Sequence, residues 1–149
     1  MKHPGESSYS YRKGIYTAAF SPDGTKVLTG SRDDTARLWD LQGNQVGKDM
    51  KHDWIKAVAF SLNGTTILTG SRYNTARLWD VQGNQIGKDI EHPFGNYRVS
   101  SIGITAVAFS PDGKRFLTAA EDNIVRIWSI KGHQIGKEDR TSVVQGKSV

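Results

Sequence analysis

The chain has 149 residues, 36% hydrophobic and 23% charged, with 20 Lys plus Arg against 15 Asp plus Glu for a net charge of +5. It contains no cysteine, which removes disulfides, thiolate nucleophiles and Cys-ligated zinc. No apolar run approaches the ~20 residues of a membrane-spanning helix, and residues 1–14 (MKHPGESSYSYRKG) lack the apolar stretch of a secretion signal, so a cytoplasmic protein is expected.

Residues 1–13 read as an N-terminal extension, in which YSYRK (9–13) is an ordinary polar stretch rather than a single-strand binder, given the low net charge. Repetition then takes over. Residues 20–50 read FSPDGTKVLTGSRDDTARLWDLQGNQVGKDM, and residues 60–90 repeat this with 22 of 31 positions identical. A looser third copy occupies 109–139, FSPDGKRFLTAAEDNIVRIWSIKGHQIGKED, after an insertion of nine residues. The units are placed at about 14–50, 51–90 and 91–140, with 141–149 as a C-terminal tail.

Within a unit the local code is β throughout. In the second copy, residues 55–60 (IKAVAF) alternate as a half-buried strand does. Residues 61–64 (SLNG; SPDG in the other copies) make a hairpin turn, with Gly supplying positive φ. Strands are predicted over 65–70 and 75–80, separated by a polar turn at 71–74. A turn at 82–84 leads to a fourth, more polar strand over 85–90. Four antiparallel strands per ~40 residues, repeated, is the pattern of propeller blades.

The unit resembles the WD-repeat β-propeller family. Trp39-Asp40 and Trp79-Asp80 match its signature dipeptide, Trp128-Ser129 is a weakened third, and the FSPDG turn and GSRDDTARLWD segment match its pattern at length. The resemblance covers about residues 14 to 140. It implies an all-β fold of three four-stranded blades, and a hydrogen-bonded set in each blade made of a His, a Ser or Thr, a turn Asp and the Trp. Carried onto this chain, the second copy offers His52, Thr69 and Trp79 but has Tyr73 at the turn. The first offers Thr29, Asp33 and Trp39, with no His at the matching distance upstream. The third offers Thr118, Asp122 and Trp128, with His92 displaced by the insertion. Thr29, Thr69 and Thr118 are preferred over Ser31 and Ser71 because the third copy has Ala120 there.

Asp, His and a hydroxyl invite a hydrolase reading. Each version of the trio lacks a different member, which suits a structural tie and not a catalytic site. The four His have no spacing for a shared metal, and GNQIG (83–87) opens no helix, so no metal or cofactor is expected. Arg37, Arg77 and Arg126, which recur on third strands, are read as a solvated face.

The resemblance also implies partner binding on the rim formed by the turns around the central channel. The matching positions include Tyr16, Arg32, Trp54, Lys56 and Arg72, with Thr105 and Glu121 in the third copy. Four of these seven are Tyr, Trp or Arg, the residue types most enriched in binding hot spots. Trp54 stands out because the other copies carry Gly14 and Gly103, so it either faces a partner or folds over a neighbouring blade. The insertion adds Phe94, Tyr97 and Arg98 to the same rim. A protein-interaction scaffold is expected, with a nucleic-acid or anionic-ligand site built on the rim Arg and Lys residues as the alternative. Three blades fall short of the 4–8 of a closed propeller and leave two apolar faces bare. The chain is therefore expected to associate with itself, pack on another protein, or belong to a larger array.

Overall fold

The computed structural model describes residues 1–3, 14–93 and 103–139. Among them every regular element is a strand, and the strands form three four-stranded antiparallel sheets. The first blade is β1 (Ile15–Phe20), β2 (Lys26–Ser31), β3 (Thr35–Asp40) and β4 (Gln45–Lys51). The second is β5 (Ile55–Phe60), β6 (Thr66–Ser71), β7 (Thr75–Asp80) and β8 (Gln85–Glu91). The third is β9 (Ile104–Phe109), β10 (Arg115–Ala120), β11 (Val125–Ser129) and β12 (Gln134–Asp139). Each pairs in chain order, as hairpins joined by tight turns must.

The turns explain why the copies agree where they do. After β1, the Ser21 hydroxyl donates to Asp23 Oδ1 at 2.7 Å, the Thr25 amide donates to the same oxygen at 3.0 Å, and Gly24 takes φ +72°. Asn63 repeats the role with its own Oδ1, so Asp and Asn are interchangeable there. Thr65 gives its amide and hydroxyl to Asn63, which is why β6 starts at Thr66, one residue after the sequence pattern placed it. After β3, Asp40 Oδ1 accepts the amides of Gln42 and Asn44 at 3.0 and 2.8 Å, and Asp80 does the same for Gln82 and Asn84. Ser129 supplies one longer bond, to the His133 amide at 3.2 Å. The weakened third dipeptide still closes its hairpin, with less.

The blades stack face against face, with β1, β5 and β9 side by side. Leu28, Ala36, Leu38 and Met50 of the first blade pack on Ile55, Ile67 and Trp79 of the second. Leu68, Ala76, Leu78 and Ile90 of the second pack on Ile104, Phe116 and Trp128 of the third. The approach is close. A Cβ added at Gly30 would lie 2.6 Å from Ile55 Cγ2 and 3.0 Å from Val58 Cγ1; at Gly70 it would lie 2.6 Å from Ile104 Cγ2 and 3.0 Å from Val107 Cγ1. Ile55 and Ile104 are fully buried, whereas Ile15, at the same point of β1, is 48% exposed and Phe20 is 69% exposed. Bare apolar faces are thus those of the outer blades. Residues of the middle blade such as Ala57, Ile67 and Leu78 are covered.

Candidate partner-binding rim

Each blade is tied internally by a threonine hydroxyl on its second strand. Thr29, Thr69 and Thr118 accept the indole N–H of Trp39, Trp79 and Trp128 at 2.8, 3.0 and 2.9 Å. A histidine reaches the same oxygen in every blade. His52 Nδ1 is 2.7 Å from Thr69 Oγ1 and its Nε2 is 2.8 Å from Thr75 Oγ1, which takes over the task that Tyr73 cannot perform. His92 Nε2 is 2.5 Å from Thr118 Oγ1, despite the insertion that follows it. The first blade has its histidine after all: His3 places Nε2 2.6 Å from Thr29 Oγ1 and Nδ1 3.0 Å from Asp33 Oδ2. The spacing did not lead to it, because His3 stands twelve residues ahead of Ile15 whereas His52 stands three ahead of Ile55. The turn residues Asp34 and Asn74, at φ +67°, offer their carbonyls to the amides of His52 and His92 at 2.9 and 3.0 Å. Asp and Asn tolerate that left-handed conformation better than other non-Gly residues.

The histidines are held neutral. Burial, and then the charge of Arg77, lowers His52 from 6.5 to about 3. Burial and then Arg126 lower His92 to about 4. In the third blade Arg126 donates to His92 Nδ1 at 2.8 Å, which leaves the ring proton on Nε2 to face Thr118. No ring nitrogen of His52 is left to take a proton from a substrate.

The recurring arginines are not a solvated face. Arg37 and Arg126 are buried, and each blade pairs its arginine. Arg37 forms a fork to Asp49 with both distances at 2.9 Å, and Arg77 does so to Asp89 at 2.7 Å. Arg126 reaches Asp122 Oδ2 at 2.9 Å. Hydrogen bonding to Arg37 and Arg77 holds the carboxyls of Asp49 and Asp89 below the ordinary value. These are structural bonds.

The rim residues fall into two groups. Tyr16, Arg32, Trp54 and Arg72 form one row. The Arg32 guanidinium lies 5.0 Å from the Tyr16 ring and 5.4 Å from the Trp54 ring, and that of Arg72 lies 4.1 Å from Trp54. Such contacts contribute about 0.5–1 kcal/mol each at exposed sites. Trp54 is half-buried, its ring between an arginine of the neighbouring blade and one of its own. Its backbone takes φ +41°, and its amide donates to Asp34 Oδ1 at 2.8 Å, a contact the sequence did not disclose. The row stops at the third blade, where a Cβ on Gly103 would meet Arg72 Cα at 2.8 Å. Lys56 and Glu121 form the second group, an ion pair of 2.6 Å between the second and third blades. Thr105 is exposed and donates to the Ala119 carbonyl at 3.3 Å. Phe94, Tyr97 and Arg98 lie outside the described residues.

The model of the WD domain, G-beta repeat family matches residues 5–40, 43–80 and 92–129. The chain belongs to the WD-repeat family. Curated relatives include the mRNA export factors of Sus scrofa, Rattus norvegicus and Mus musculus, each 42% identical over 50 residues, 29% of this chain. The match spans 14% of those proteins. Three WD-repeat blades make an incomplete ring. At the ends of β1, β5 and β9 away from the row, Phe20, Phe60 and Phe109 line an open apolar cleft of about 460 Å³. Among the described residues no group of three or more His, Asp or Glu could hold a metal ion, and no helix is long and apolar enough to cross a membrane.

Proposed function

We propose that the chain is a non-enzymatic, cytoplasmic scaffold that binds a protein partner through the rim row of Tyr16, Arg32, Trp54 and Arg72. The observation that carries this reading is Trp54. A bulky residue at positive φ costs of order 1–3 kcal/mol, and such strain collects at functional sites. The other two copies have glycine at that position, so the indole is not part of the repeated blade framework. Tyr, Trp and Arg on a rigid rim supply contact area with little conformational entropy to lose. Two observations favour a protein partner over a nucleic acid or other anion. Lys56 is engaged by Glu121, and the faces of Arg32 and Arg72 are covered by aromatic rings. The non-enzymatic reading is supported by His52 and His92, both 1% exposed, with hydroxyls on His52 and a hydroxyl and a guanidinium on His92.

Affinity capture with wild-type, Trp54→Ala and Leu62→Ala chains, read by quantitative mass spectrometry, tests the proposal. Proteins retained by wild type and Leu62→Ala should be lost with Trp54→Ala. Retention of the same proteins by Trp54→Ala would refute it. Oligonucleotide binding that falls steeply with salt and vanishes in Arg32→Ala/Arg72→Ala would favour the anionic reading instead.

A further inference from the structure

In the turn between β5 and β6 stands Asn63, the one asparagine of the sequence that is followed by glycine. Its Oδ1 accepts the Ser61 hydroxyl at 2.7 Å, the Thr65 hydroxyl at 2.8 Å and the Thr65 amide at 3.1 Å. A backbone amide can only donate, which fixes the oxygen on that side and turns Nδ2 the other way. Nδ2 makes no hydrogen bond among the described residues, and Asn63 is exposed. The other asparagines differ. Asn44 and Asn84 donate through Nδ2 to Asp40 and Asp80 at 3.0 and 2.9 Å, and each precedes a glutamine. Asn74 is buried, with Nδ2 on the His92 carbonyl at 3.3 Å, and Asn123 precedes the β-branched Ile124.

The same seat holds an aspartate in the other two blades. Asp23 Oδ1 accepts the Ser21 hydroxyl at 2.7 Å, the Thr25 hydroxyl at 2.8 Å and the Thr25 amide at 3.0 Å. Asp112 Oδ1 accepts the Ser110 hydroxyl at 2.6 Å and the Lys114 amide at 2.9 Å. The turn favours the charged form, since the bonds from Ser21 and Thr25 lower the Asp23 carboxyl to about 2. A carboxylate at position 63 would therefore find its donors in place, with bonds strengthened by its charge.

We propose that Asn63 is a site of spontaneous deamidation, converted in the folded protein to the aspartate that the other two copies encode. The Gly64 nitrogen gives its proton to water and attacks Asn63 Cγ; Nδ2 takes up a proton and leaves as ammonia, closing a five-membered imide. A second water adds to Cγ and breaks the new bond to the Gly64 nitrogen, which regains its proton. The net change is one amide and one water to a carboxylate and ammonium, with nothing oxidised or reduced. In both steps negative charge develops on Oδ1, where three donors already point. A cavity of about 190 Å³ lined by Asp23, Lys26, Asn63 and Gly64 admits the water. Gly64 has no Cβ to crowd the attack, and its amide must first release the Ser61 carbonyl at 2.9 Å, a local opening that an exposed turn makes readily. Water adding at the backbone carbonyl instead would give isoaspartate, which lengthens the turn by a methylene and takes the carboxylate off its donors. The inference is independent of the rim's partner.

Incubation of the full chain near neutral pH, followed by peptide mapping with mass spectrometry, tests the proposal. Conversion of amide to acid should run at Asn63 about tenfold or more faster than at Asn44 or Asn84. Thr65→Ala, at an exposed position, removes one donor from Oδ1 and should slow the conversion severalfold, with circular dichroism checking the fold. Asn63→Asp supplies the product directly and should melt no lower than wild type. Conversion at Asn63 no faster than at Asn44 and Asn84 would overturn the proposal, as would isoaspartate as the chief product. Faster conversion in a folded Thr65→Ala chain, or a lowered melting temperature in Asn63→Asp, would overturn the role given to the three donors.

Discussion

Replacing Gly30 by Ala adds one methyl to the most crowded point of the first blade interface. The new Cβ would stand 2.6 Å from Ile55 Cγ2, 2.8 Å from Thr17 Cγ2 and 3.0 Å from Val58 Cγ1. Ile55 is fully buried among Leu28, Leu38, Met50 and Trp79, so it has no free direction in which to move. Overpacking of this kind costs about 1–3 kcal/mol. Against it stands a gain of about 0.4–1 kcal/mol from the lower entropy of the unfolded chain, since the φ of Gly30 lies outside the left-handed region. The net expectation is a loss of about 1–2 kcal/mol. Val58→Ala removes two methyls from a half-buried side chain, a loss of about 1 kcal/mol. In the double variant the added methyl enters the space that Val58 vacates, so the two losses should fall short of their sum by about 1 kcal/mol. Urea unfolding followed by tryptophan fluorescence reports the cycle, because Trp79 lies in this interface. Gly14→Ala is the control, since a Cβ there meets nothing within 4 Å. Additivity within about 0.3–0.5 kcal/mol, or a neutral Gly30→Ala, would refute the packing logic of the blade interface.

Acid should destabilise the fold earlier than paired carboxylates alone would allow. His52 and His92 titrate at about 3 and about 4 when folded and near 6.5 when unfolded, so the unfolded chain binds protons first as pH falls. Their contribution is full above pH 6.5 and declines toward pH 3–4, by roughly 3 kcal/mol for the pair between pH 6.5 and 5. Asp49 and Asp89 act only below their ordinary 3.8, so a melting temperature that does not change between pH 7 and 5 would exclude the histidine effect. Thr69→Val strips the hydroxyl shared by Trp79 and His52 and should cost about 2–4 kcal/mol by leaving two buried polar groups unpaired. A chemical-denaturation loss no larger than that of Thr105→Val, at an exposed position, would argue against the tie.

The blades were legible because their signals are local. Alternation, turn residues and the repeat period all act within a few residues of one another. The contacts that escaped the sequence are those set by a longer spacing along the chain or by bulges. The second copy places its histidine three residues before Ile55, a spacing that does not lead to His3. Yet His3-Pro4 and His92-Pro93 each stand twelve residues ahead of an isoleucine, Ile15 and Ile104, that follows a glycine. Added chain length costs little closure entropy, so the tie survives it. The arginines escaped for another reason. The register of β3 against β4 shifts between Ala36 and Leu38, opposite Gly47 at φ +71°, and β7 against β8 repeats this beside Gly87. A bulge re-aims side chains, and here Asp49 and Asp89 close on arginines that simple alternation leaves facing solvent.

Three copies of one unit act as controls for each other. Where two agree and the third departs, the fold's requirement is met by the shared residue, and the departure needs a reason of its own. Tyr73 replaces the turn Asp because Thr75 supplies the oxygen that His52 needs. Glu121 replaces the rim arginine and is matched by Lys56 across the blade boundary. Trp54 remains. No compensating change accompanies it in the core, its backbone is strained where glycine would relax it, and its ring is held between Arg32 and Arg72 at the surface. The contacts with Arg32 and Arg72, about 0.5–1 kcal/mol each, return part of that cost to the fold, and the proposed recognition of a partner is the reading that would account for the remainder.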